Sequence, residues 1–175
     1  MFDTPTEIGS GYTETIKPGA FKKTLADMAD VRMLINHSPD LVLGRTSSGT
    51  LILREDDKGL YFECELPPTQ AAADLKALIV RGDISQCSFG FVCVADKVTY
   101  GEKNGIVTVH RDVEEAELFD TSVVTYPAYA STSVSLRTMF PDGTPAFLNN
   151  IPNRWNHSDP QSATDLARVR IALAQ

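Results

Sequence analysis

Two short segments hold residue types that together could carry out acyl transfer: Asn36-His37-Ser38-Pro39 and Cys87-Ser88-Phe89-Gly90-Phe91. A serine hydroxyl is a weak nucleophile until a histidine removes its proton, so a base and a hydroxyl are the minimum set for this chemistry. Each segment alone is ambiguous. A histidine at a strand end is most often a hydrogen-bonded structural residue, and a serine between aromatics is often only a small residue in a crowded strand. No Gly-x-Ser-x-Gly turn surrounds any serine, which speaks against a small-ester hydrolase built on a nucleophile elbow.

The elements that must position the pair can be read from periodicity. Residues 1–18 are turn-rich and polar, punctuated by Gly9, Gly11 and Pro18. Phe21, Leu25 and Met28 fall at helical spacing and predict a short helix over about 19–29. Val31 to Asn36 reads as a strand delivering His37 to its end, where Ser38-Pro39-Asp40 breaks the run before a short continuation over 41–44. A hairpin over 50–66 follows. Pro67-Pro68 then precedes a second helix, with Thr69 as its cap, Ala72, Leu75, Leu78 and Ile79 on one face, and Gly82 at its end.

Residues 84–94 alternate as a strand. Cys87, Phe89, Phe91 and Cys93 point to a core, while Gln86, Ser88 and Gly90 point to the other face, where small groups leave room for a substrate backbone. A hairpin around 101–105 leads to strands over 106–113 and about 116–125, the latter ending at Tyr126-Pro127-Ala128. From Arg137 onward, repeated Pro, Gly and Asn mark a linker or tail, with Leu166, Val169 and Leu173 predicting a last short helix. The fold class is α+β, a mainly antiparallel sheet or barrel with two or three short helices.

Composition narrows the function classes. The 175 residues suffice for one domain with a sizeable core. A net charge of -7 without any basic block argues against binding to nucleic acid phosphates. The apolar runs fall far short of a membrane span, and the start lacks a secretory signal. Cys64, Cys87 and Cys93 lack metal-ligand spacing and read as reduced thiols in a cytosolic compartment, so neither metal nor cofactor is expected.

Ile16-Lys17-Pro18-Gly19-Ala20-Phe21, Asn36-His37, Leu43-Gly44-Arg45, Gly59-Leu60, Ser88-Phe89-Gly90-Phe91 and Tyr126-Pro127-Ala128 occur in one order. That succession, covering roughly residues 12–135, resembles the phage prohead maturation proteases of the HK97 type, distantly similar to herpesvirus assemblins. The resemblance implies an assemblin-like fold and a serine endopeptidase acting in the host cytoplasm inside the prohead. Its substrates would be the scaffolding protein and major capsid protein, and it would tend to pair into a homodimer. It implies His37 as base, Ser88 as nucleophile and Asp120 as the acidic third member, with oxyanion donors in the loop after Pro127.

The third position stays open at this point. Glu117 would face away from Asp120 if the strand is regular, and His110 is a second candidate because assemblins use a second histidine. His110 reads more simply as an outer sheet position. Cys87 faces the core and His157 lies beside Trp155 in the tail, so neither is expected to react. The protease domain is expected over 1–136 and the linker and tail over 137–175. Relatives carry a strand before the Phe2-Asp3-Thr4-Pro5 stretch, so that strand is expected to be missing here or replaced. The competing reading is a catalytically silent scaffold or capsid-assembly module of the same fold.

Overall fold

The computed structural model describes residues 1–129, 134–137 and 170–173. In chain order the elements are β1 (Thr6–Gly9), β2 (Tyr12–Ile16), α1 (Lys22–Ala26), β3 (Arg32–Ile35) and β4 (Ser38–Arg45). After a single 3-10 turn come β5 (Leu51–Glu55), β6 (Leu60–Glu65), α2 (Gln70–Arg81), β7 (Gln86–Lys103), β8 (Ile106–Val124), β9 (Val134–Arg137) and β10 (Arg170–Leu173).

The larger sheet is organised around β8. One edge of β8 pairs antiparallel with β7 along nearly its whole length. The other edge pairs parallel with two strands placed end to end, β2 against Val109–Val113 and β3 against Asp120–Val123. β1 and β4 extend that side as antiparallel partners of β2 and β3. The second sheet runs β5-β6-β10-β9 and is antiparallel throughout. The α+β class and the mainly antiparallel pairing match expectation. The barrel does not: among the described residues neither sheet closes on itself.

Alternation explains the core. Cys87 is buried, and Phe89, Phe91 and Cys93 pack with it against Phe21, Val113, Leu118 and Val123. Phe21 meets Phe89 and Phe91 edge-on at 5.5 and 6.5 Å between ring centres, a favoured aromatic geometry. The second helix forms as expected. Thr69 caps it by accepting from the Ala72 amide at 3.4 Å, and Gly82 ends it at φ 82°, where only glycine is unstrained.

Five expectations need correction. The first helix is only Lys22–Ala26, because Met28 adopts φ 50° and leaves the helix, 87% exposed. The first eighteen residues contain the β1–β2 hairpin, not only turns. Ser38-Pro39-Asp40 does not break the chain out of the sheet: β4 begins at Ser38, and Pro39 is tolerated because β4 is an edge strand with an irregular register there. The two strands expected over 106–125 are one, and their apparent junction near Glu114 is a pair of register shifts against Cys93–Asp96. Residues Arg170–Leu173, expected in a helix, form strand β10 through pairing with β6 and β9. Leu166 and Val169 lie outside the described residues.

The buried Glu14 of β2 is the reason the first hairpin looks polar in sequence. Its carboxylate is 3% exposed and accepts from Arg111 Nε at 2.7 Å, from Arg111 Nη2 and from the Tyr129 hydroxyl. Burial, then the adjoining carboxylate, pushes the Tyr129 phenol upward. Removing one partner of a buried ion pair strands the other charge. Arg111→Met is therefore expected to lower stability by about 3 kcal/mol, with Glu14→Gln in the same chain recovering much of the loss. Urea titrations of the single and double variants check this. Equal losses in both would show that the ion pair is not what holds this region.

Candidate active site

The strand β3 turns into β4 through Asn36 and His37 alone, since Ile35 pairs with Ser38. Both turn residues have positive φ, 50° and 56°, the type I′ pattern that suits the twist of a two-residue hairpin. Neither residue is a glycine, so holding both in this region costs free energy that neighbouring contacts must offset. Three contacts to β8 and the residue after it do so. The Asn36 amide donates to the Val123 carbonyl at 2.9 Å, the Thr125 amide donates to Asn36 Oδ1 at 2.8 Å, and the His37 amide donates to Ser122 Oγ at 3.2 Å.

That docking places the imidazole over β8. His37 Nδ1 lies 2.7 Å from Asp120 Oδ1, and since a carboxylate oxygen can only accept, Nδ1 donates. The Asp120 side chain is 7% exposed and that of His37 40%, so the carboxylate is buried beneath a ring open to solvent. Nε2 is then the nitrogen left for proton transfer.

Ser88 stands on the same face. In the β7–β8 ladder Ser88 pairs with Ser122 and Gly90 pairs with Asp120, so these residues project to one side of the sheet. Ser88 is 4% exposed, and His37 and Ser88 share no hydrogen bond. Nucleophile and base are often loosely aligned without substrate and tighten when it binds. Gly90 makes the arrangement sterically feasible: a Cβ there would overlap Asp120 Oδ2 and come within 2.7 Å of Phe119 Cε2.

The other candidates separate on geometry. Phe119 is an extra residue in β8, because Gly90 pairs with Asp120 but Phe91 with Leu118. This bulge reverses the parity of the strand, so Glu117 shares the face of Asp120 instead of opposing it. Glu117 is nevertheless exposed, opposite Val92, and makes no hydrogen bond to His37. His110 is engaged elsewhere, with Nδ1 2.8 Å from Thr13 Oγ1 and Nε2 3.3 Å from Asp112 Oδ1. His157 lies outside the described residues.

Sequence reasoning missed Ser122, although it lies two positions from Asp120 and therefore on the same strand face. Its Oγ donates to Asp120 Oδ1 at 2.7 Å while accepting from the His37 amide. Being fully buried, it is itself closed to a substrate.

Cys87 adjoins Ser88 but is buried on the opposite, core-facing side. Cys64 is likewise inert, because burial pushes its thiol up to about 12. Thiolate is the reactive form, so at pH 8.5 native Cys64 should resist iodoacetamide and react only once urea unfolds the chain. Peptide mapping of the alkylated protein checks this, and rapid native labelling of Cys64 would contradict the packing described. Among the described residues no group of His, Cys, Asp and Glu could hold a metal ion, and no helix is long and apolar enough to cross a membrane.

A histidine, a buried carboxylate bonded to it and a serine on the same face are shared by several unrelated hydrolases, so geometry alone leaves the family undecided. The family model described as caudovirus prohead serine protease matches residues 1–142. The chain belongs to that family. It is also 35% identical over 126 residues to the prohead protease of Enterobacteria phage HK97, across 70% of this chain and 52% of that protein. The chain thus spans about half the length of this prohead protease. No solved structure matches it.

Proposed function

We propose that this prohead protease family member is a serine endopeptidase that cleaves scaffolding protein and major capsid protein inside the phage prohead, in the host cytoplasm. The observation that carries the reading is the 2.7 Å bond from His37 Nδ1 to Asp120, formed on the sheet face that also holds Ser88. In this reading His37 Nε2 takes the Ser88 hydroxyl proton as Oγ attacks the peptide carbonyl, then returns it to the leaving amine. Asp120 holds the ring in the tautomer that leaves Nε2 free to accept, and stabilises the imidazolium. Donors for the oxyanion are proposed in the loop after Pro127, and an assemblin-like fold and a homodimer belong to the same reading.

One observation favours a second reading, a catalytically silent assembly module: His37 and Ser88 share no hydrogen bond. A fluorophosphonate probe separates the two. Stable labelling of Ser88 in the full-length protein, lost in His37→Ala, is the expected result. An unlabelled protein that co-assembles with capsid protein without cleaving it supports the silent module.

A further inference from the structure

The hydrogen bonds around Ser122 close a ring. The His37 amide donates to Ser122 Oγ at 3.2 Å, Ser122 Oγ donates to Asp120 Oδ1 at 2.7 Å, and Asp120 Oδ1 accepts from His37 Nδ1 at 2.7 Å. One hydroxyl thus ties the backbone of the proposed base to the carboxylate that orients its ring. We propose that Ser122 is the positioning residue of this site, acting through Asp120 and through the His37 turn.

Three observations carry this. Ser122 is fully buried, so its hydroxyl must find protein partners, and it uses both its donor and its acceptor capacity on the site. A freely turning carboxylate could present either oxygen to the imidazole. The Ser122 hydroxyl occupies the same Oδ1 as His37 and so selects the rotamer in which that oxygen faces the ring. Finally, the His37 amide belongs to a turn of unfavourable φ, and Ser122 satisfies the donor that holds this turn on β8. Alanine, which lacks the hydroxyl, loses both bonds at once. Ser122 itself does not touch the substrate, because it is fully buried.

The inference rests on the reading of His37 and Asp120 as the proposed pair, and its test separates the two. Cleavage of capsid protein by full-length parent, Ser122→Ala, Ser122→Thr, Asp120→Asn and the Ser122→Ala/Asp120→Asn double variant is measured alongside Ser88→Ala. Ser122→Ala is expected to lower kcat by about 10- to 100-fold with KM within about twofold, the size expected for a lost bond to a charged group and a misplaced base. Ser122→Thr, which keeps the hydroxyl, should recover most of the rate. On the Asp120→Asn background the second change should cost less than in the parent, because the route through the carboxylate is already cut and only the hold on the His37 turn remains to be lost.

A readout independent of turnover accompanies these rates. The low-field Nδ1 proton resonance of His37 should shift in Ser122→Ala and return in Ser122→Thr. Parental kcat in Ser122→Ala, a full multiplicative loss on the Asp120→Asn background, or an unmoved proton resonance would each overturn the proposal. If Ser122→Ala fails to fold, Ser122→Gly, which also lacks the hydroxyl, takes its place in both readouts, and parental kcat with an unmoved resonance there refutes a role for the hydroxyl. Cleavage that persists in Ser88→Ala would instead sink the triad reading, with the resonance still reporting on Ser122.

Discussion

Replacing Ser88 by alanine is expected to leave a folded protein that cleaves capsid substrate at least about 10⁴-fold more slowly, the loss typical of removing a serine nucleophile. The fold should survive because the change deletes one hydroxyl from a residue already small and 4% exposed, on a strand held along its length by β8. His37→Ala should cost a similar factor. The double variant should be hardly worse than either alone, since the proposed base and nucleophile would act as a unit. Gel analysis of capsid protein after co-expression, with thermal melts of each variant, measures both quantities. A Ser88→Ala protein that cleaves at the parental rate would remove the nucleophile assignment outright.

Gly90→Ala should be the next most damaging change, although it removes no group of the proposed triad. The added methyl would overlap Asp120 Oδ2, lie 3.1 Å from Asp120 Cγ and press on the Phe119 ring at 2.7 Å. The backbone at Asp120 is paired on both sides, with Gly90 of β7 and Arg32 of β3, so the carboxylate is the part that must move. Displacing it by even about 1 Å costs roughly 100-fold in rate, and the overpacking itself about 1–3 kcal/mol of stability. Val92→Ala, on the same face but 55% exposed, should leave both nearly unchanged. Comparing kcat and melting temperature for the two variants checks the argument. A Gly90→Ala enzyme of parental activity would mean that Asp120 does not need its observed place.

The parts of the site that sequence made legible are those with a local signature. Alternation alone placed Ser88 opposite the core-facing Cys87 and Phe89, and the Thr69 cap and Gly82 stop marked the second helix. What escaped was set by pairing between distant strands. The parity of Glu117 relative to Asp120 depends on one extra residue, Phe119, and a bulge has no signature in an alternation pattern. The first hairpin was hidden because Glu14, outwardly a surface residue, is buried against Arg111. The turn at Asn36 and His37 was mistaken for a break because Pro39 usually ends a strand, and only the edge position of β4 excuses it.

The placement of β8 between partners from both halves of the chain also has a consequence in time. His37 and Asp120 are 83 positions apart, and nothing local draws them together. Contacts of such separation form late, after the entropy of closing a long loop has been met. A nascent chain that has released β3 and β7 from the ribosome already carries the histidine and the serine, but no carboxylate beneath the ring. The arrangement proposed as the active site is therefore completed only when β8 joins the sheet.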